Sequence, residues 1–263
     1  MRSRAAQEDQ FARLAHHYDA LMASVPYGLW AEYVSNLAAL AGRPIAPGSK
    51  LLDLATGTGS VALEFAQRGC EVTGIDLSAP MIRKARQKAR SLGLSAPFIC
   101  RDLADFQLPP EFDHAVCLYD SLNYITDPAR LKRAFANIRH ALKDDGVLIF
   151  DVNTVHALEA ELFTQESRPD AEIVYRWKSR YDRGARISMI RMDFEVTATG
   201  ETFSVTHRQR GYTDAELRSY MLRAGFGEIT SYDAYRVIAP GPQSDRAFYV
   251  AKPGGGAAPT PAT

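Results

Sequence analysis

The residues with the clearest chemical content run from Leu51 to Gly59, an apolar stretch that carries a carboxylate at Asp53 and ends in a glycine turn. Glycine at positions 57 and 59 lets a ligand come up against the main chain where a Cβ would collide. Ala62 completes a G-x-G-x-x-A spacing, and Asp76 closes the next apolar run, where an acid that grips a ribose belongs. A dinucleotide site has the same features. Asp53 separates the possibilities, because a negative charge there would repel an anionic pyrophosphate and would hold a ligand bearing positive charge.

A second group of candidates lies further along the chain. Tyr119, Asp120, Ser121, Asn123 and Tyr124 bunch just past an apolar run; for Ser121 and Asn123 an ordinary turn accounts for the residues as well as a site does. His207 and Arg210 lie together before a helical stretch; either could position an anionic acceptor, and His207 could take a proton near neutral pH, although a solvated strand end also fits. His17, Asp120 and His207 are the candidates for a general base. Cys70, Cys100 and Cys117 lack metal-ligand spacing and read as buried thiols, so no metal site is expected.

These residues need a scaffold, and the hydrophobic pattern supplies one. Strands at Lys50–Leu54, Glu71–Ile75, Pro97–Cys100, Ala115–Tyr119 and Val147–Val152 alternate with helices over Val61–Arg68, Ala79–Ser91 and Pro128–Leu142. This alternation predicts an α/β, doubly wound, Rossmann-like fold: a mostly parallel seven-stranded sheet covered on both faces. Glu228–Val237 and Ala247–Ala251 read as the closing antiparallel pair, reached through a helix at Asp214–Ala224. After a short helical piece near Glu161, the stretches Ile173–Tyr181, Arg186–Val196 and Thr202–Gln209 alternate apolar and polar residues, which predicts an inserted antiparallel β-meander. The expected organisation is N-terminal helices covering the site over 1–47, a core over 48–153 and 211–252, an insert over 154–210, and a disordered Gly/Pro/Ala-rich tail over 253–263.

Asp53, Gly57 and Gly59 resemble the D-x-x-x-G-x-G motif of class I S-adenosylmethionine-dependent methyltransferases, and the likeness extends from about Tyr18 to Lys252. The resemblance implies that Asp53, Ala55, Gly57 and Gly59 receive the methionine part of S-adenosyl-L-methionine, with S-adenosyl-L-homocysteine as product. It implies that Asp76 holds the ribose hydroxyls, that Leu77, Met81 and Leu118 wall the adenine, and that Asp102 and the Leu103 amide read the adenine edge. Thr56 stands where many relatives carry cysteine. The N-terminal segments resemble small-molecule N-methyltransferases of the glycine and amino-sugar type, which implies that Tyr18 and Trp30 fold over the cofactor; both also fit the apolar stripe of their helices. Tyr119, Asn123, Tyr124 and Arg210 are then the expected acceptor contacts, and His207, Asp120 and Tyr18 the expected catalytic groups.

Composition bounds the rest. Lys+Arg and Asp+Glu both number 31 in 263 residues, so no net field draws nucleic acid, and the basic helix around Arg83–Arg90 reads as an exposed face. Neither an apolar run of about 20 residues nor a signal core is present, so no membrane partner is expected and the chain reads as cytoplasmic. A small-molecule acceptor receiving a methyl group on nitrogen or oxygen is the expected function. A non-catalytic cofactor-binding module and a nicotinamide-dependent oxidoreductase are the alternatives, the latter disfavoured by Asp53. The edge of the insert could serve a homodimer or cover one subunit's pocket.

Overall fold

A computed structural model describes residues 11, 13–168 and 171–254. The disordered tail expected from 253 starts too early, since Pro253 ends the last strand and the Gly254 amide donates to the Gly225 carbonyl at 2.8 Å; its remainder, 255–263, and the start of the N-terminal segment lie outside the described residues. The elements are α1 (Tyr18–Leu21), α2 (Tyr27–Leu40), β1 (Lys50–Leu54), α3 (Ser60–Gln67), β2 (Glu71–Asp76), α4 (Ala79–Ser91), β3 (Phe98–Cys100), β4 (Phe112–Cys117), α5 (Pro128–Ala141) and β5 (Leu142–Asn153). There follow α6 (Val155–Glu159), β6 (Gln165–Glu166), β7 (Ile173–Asp182), β8 (Ile187–Val196), β9 (Glu201–Arg210), α7 (Asp214–Arg223), β10 (Phe226–Asp233) and β11 (Arg246–Pro253).

The main sheet has seven strands in the order β10-β11-β5-β4-β1-β2-β3. β1 to β5 pair in parallel and β11 alone runs against its neighbours. Helices cover both faces, so β4 is buried at all six positions and reads as an unbroken apolar-leaning run. Successive strand residues serve opposite cores. Leu52 and Leu54 pack with Phe135, Phe150 and Leu217, whereas Leu51 packs with Phe65, Ile82 and Val34.

Helix ends are set by local chemistry. Ser78 caps α4 with Pro80 in its first turn, and Thr213 forms a capping box with Glu216 at the start of α7. The insert is a four-stranded antiparallel sheet, β6-β7-β8-β9, one short edge strand more than the alternation predicts. The helical piece expected near Glu161 ends at Glu159, and Glu161 itself sits at φ 53°. β10 ends at Asp233 rather than Val237, because the chain turns there, with Tyr235 at φ 61°.

Gly59 corrects the expectation that both loop glycines admit a ligand. It caps α3 at φ 79°, and a Cβ there would lie 3.0 Å from both Ala85 Cβ and Phe98 Cζ. Its role is close packing of the α3 N-terminus against α4 and β3. Gly59→Ala should lower the unfolding free energy by about 1–3 kcal/mol in urea titration, from the left-handed backbone and the crowded methyl together; an unchanged midpoint would contradict this packing role.

Candidate active site

The loops at the carboxyl end of the parallel strands meet the inner face of the insert around one cavity of about 720 Å³, within the size range of small-molecule sites. Asp53 is buried at the end of β1, with its Oδ2 accepting a 2.6 Å hydrogen bond from Thr56 Oγ1. Among the described residues it has no ion-pair partner, and burial pushes its pKa up to about 7 against the smaller opposing effect of the Thr56 bond. The loop that follows alternates left-handed residues, Ala55 at φ 55° and Gly57 at φ 56°. This places the Gly57 amide 2.8 Å from Asp76 Oδ2, while Asp76 Oδ1 accepts from the Ser78 amide at 2.8 Å. Burial also raises the Asp76 carboxyl. Asp102, after β3, accepts from the Ala104 amide at 2.9 Å and pairs with Arg130 from the first turn of α5.

Past β4 the backbone turns through two consecutive left-handed non-glycine residues, Tyr119 at φ 66° and Asp120 at φ 49°. Such a pair is strained and aims its two amides at one point. Asp151 on β5 occupies that point, accepting from the Tyr119 amide at 2.7 Å and the Asp120 amide at 2.9 Å. Arg246, opening β11, bridges Asp151 and Asp120, reaching the latter at 2.8 Å. Burial lifts Asp120 to about 6, with the Arg246 charge pulling the other way. Gln209 Nε2 donates to Asp120 at 2.5 Å, and Gln209 Oε1 accepts from Asn153 Nδ2 at 3.0 Å, so the insert is stapled to the core by polar bonds.

Tyr18, Ala55, Gly57, Leu77, Met81, Leu103, Leu118, Tyr119, Tyr124 and His207 line the cavity together with Asp53, Asp76, Asp102 and Asp120. His207 Nδ1 lies 2.9 Å from Tyr124 Oη, and burial lowers the imidazole pKa to about 4. The ring is therefore only a weak base near neutral pH. Burial raises the Tyr18 phenol well above its ordinary value.

Five other expected residues lie elsewhere. Asn123 is fully buried, donating to the Asn153 and Arg210 carbonyls at 3.1 and 2.9 Å and accepting from the Asn153 amide at 3.0 Å, so it is a strut. The Arg210 side chain extends over the Tyr212 ring, outside the cavity lining. Trp30 belongs to the apolar stripe of α2 and stacks on the back of Tyr119 at 4.9 Å. His17 stacks on Phe203 at 5.4 Å, and Gly59 packs as described. Arg130, Gln209 and Arg246 are cavity residues that sequence reasoning missed. Each reaches the site from an element distant in the sequence, which no local pattern signals.

The family model described as a methyltransferase domain matches residues 51–146. A candidate methyltransferase of Geobacillus sp. (strain WCH70) is 31% identical over 253 residues, covering 92% of this chain and 99% of that protein. A solved S-adenosylmethionine-dependent methyltransferase from Clostridium acetobutylicum superposes with a TM-score of 0.81 at 28% identity, over 92% of this chain and 98% of that one. The chain belongs to the class I S-adenosylmethionine-dependent methyltransferases. A sugar N-methyltransferase from Streptoalloteichus sp. shares the fold, with a TM-score of 0.72 at 21% identity over 91% of this chain and 93% of that one. Among the described residues of this methyltransferase no cluster could hold a metal ion, and no helix is long and apolar enough to cross a membrane.

The Arg246 bridge makes a direct prediction. Arg246→Met leaves two buried carboxylates without their cation and should cost about 3–5 kcal/mol in denaturant titration. Asp151→Asn in the same chain should restore part of that loss; additive losses in the double variant would show that the bridge does not hold the turn.

Proposed function

We propose that this methyltransferase passes a methyl group from S-adenosylmethionine to a nitrogen or oxygen of a small soluble molecule by in-line displacement. The observation that carries the reading is Asp53: a buried carboxylate with no ion-pair partner among the described residues, in the wall of the cavity. A pyrophosphate would meet repulsion there, and a cationic ligand would find a counter-charge. The residues present fit the cofactor. Asp53 and Thr56 take the methionine end, Asp76 the ribose, Leu77 and Met81 a face of the adenine, and Asp102, held by Arg130, its edge together with Leu103.

The cofactor, when bound, supplies a methyl group on a positively charged sulfur, so the leaving thioether needs no acid. The chain's own contribution is then alignment of the acceptor, which can supply several kcal/mol. The acceptor's lone pair takes the methyl carbon, the electron pair of the broken C–S bond stays on sulfur, and the surplus proton passes to water. Tyr18, Tyr119 and Tyr124 line the cavity and would shape the space for the acceptor, with the Tyr124 hydroxyl held by His207 Nδ1. An imidazole whose pKa is lowered to about 4 is a weak base, and Asp120 is engaged by Arg246 and Gln209. This favours nitrogen, since an amine needs only to arrive neutral while a hydroxyl needs a base. The likeness in fold to a sugar N-methyltransferase is consistent with that preference.

Calorimetry should show S-adenosylmethionine and S-adenosylhomocysteine binding and NAD giving no heat, and a labelled-methyl screen should show transfer to a small acceptor. Binding without transfer to any acceptor class would leave a cofactor-binding module instead. Tyr18→Phe and His207→Ala should each lower kcat/KM by roughly tenfold or more; wild-type turnover in both would remove the roles given to them.

A further inference from the structure

The half of the cavity contributed by the insert narrows the acceptor, an inference that rests on the reading above. Period-two alternation decides what that face contains. Register sets Trp177 beside Met192 and Ile190 beside His207, while Arg176, Lys178 and Arg191 point to the exposed side. The cavity accordingly receives Tyr175, Trp177, Ile190 and Met192 from β7 and β8. Phe11 closes against the rings of His207 and Tyr124 at 5.0 and 5.4 Å.

Charge is absent from this face. The residues that β7, β8 and β9 give to the cavity, Tyr175, Trp177, Ile190, Met192, His207 and Gln209, include no Lys, Arg, Asp or Glu, and the one acid on that face, Glu201, lies exposed at the far end of β9 opposite Val196. His207 is neutral, and the charges nearest it in the cavity wall, Asp120 and Arg246, are paired with each other.

We propose that the methyl acceptor is an uncharged, flat aromatic compound carrying the receiving nitrogen or oxygen on its ring, rather than an amino sugar or an amino acid. Flat rings stack favourably on Tyr175 and Trp177, which lie 5.1 Å apart. A polyhydroxylated sugar would leave hydroxyls unpaired against Ile190 and Met192, and a zwitterion would lose its hydration with no counter-ion on the insert.

The test uses the full chain loaded with S-adenosylhomocysteine and calorimetric titration of 1-naphthylamine, catechol, glucosamine and glycine, alongside labelled-methyl transfer to the same four compounds. At least one of the two aromatic probes should bind and be methylated, roughly tenfold or more favourably than glucosamine or glycine. Trp177→Leu should weaken the aromatic probe by roughly tenfold, Trp177→Phe should keep most of the affinity, and neither should change affinity for S-adenosylmethionine more than about twofold. The proposal is overturned by preference for glucosamine or glycine, by equal use of both kinds of acceptor, by no use of either while the cofactor binds, or by Trp177→Leu binding the aromatic probe as wild type does. Failure of S-adenosylmethionine itself to bind would instead remove the functional reading on which the proposal stands.

Discussion

The site is organised by an imbalance of buried charge. Each of the five parallel strands ends in or is closely followed by an aspartate, namely Asp53, Asp76, Asp102, Asp120 and Asp151. Two guanidinium groups face them: Arg130 on Asp102, and Arg246 shared between Asp120 and Asp151. Among the described residues Asp53 and Asp76 are left to hydrogen bonds alone, and burial raises both carboxyls. A buried carboxylate without a cation is costly, so this end of the sheet favours a positively charged ligand before any detail of shape is considered.

The two engaged cations do different work. Arg130 fixes a carboxylate in the wall where adenine is proposed to sit, whereas Arg246 holds a piece of backbone. The left-handed pair at Tyr119 and Asp120 would be unstable alone, and the carboxylate of Asp151 repays its strain by accepting both amides. Arg246 then balances Asp151 while turning Asp120 toward Gln209 of the insert. Asn123, Asn153 and Gln209 continue the same network across the junction. The junction between core and insert therefore rests on interlocking polar bonds, a condition under which such networks specify one arrangement.

Local signals made the strand–helix alternation, the Asp53 loop, the insert and the antiparallel closing pair legible in the sequence, because each depends on residues close in the chain. Thr56 looked like a mild family variation and proves to be the hydrogen-bond partner of Asp53. Asn123 and Arg210 looked functional because polar residues past a strand end often are; their partners are carbonyls and a ring that come from other elements, which no local pattern reveals. Arg246 was invisible for the same reason, lying 126 residues from the aspartate it holds. The weak basicity of His207 is a property of its surroundings, which side-chain type alone does not reveal.

The central claim is that Asp53 waits as a high-pKa carboxyl for a cation. Its ordinary value is 3.8, burial raises it to about 7 in the free protein, and a positive ligand beside it favours the ionised form. Carbon-detected NMR titration of the Asp53 carboxyl, with and without S-adenosylmethionine, measures this directly. The account predicts a midpoint near 7 in the free protein that falls on binding, with proton release and with affinity rising as pH increases toward about 7 and levelling above it. An ordinary carboxylate midpoint in the free protein, or a midpoint that S-adenosylmethionine leaves where it was, would contradict it.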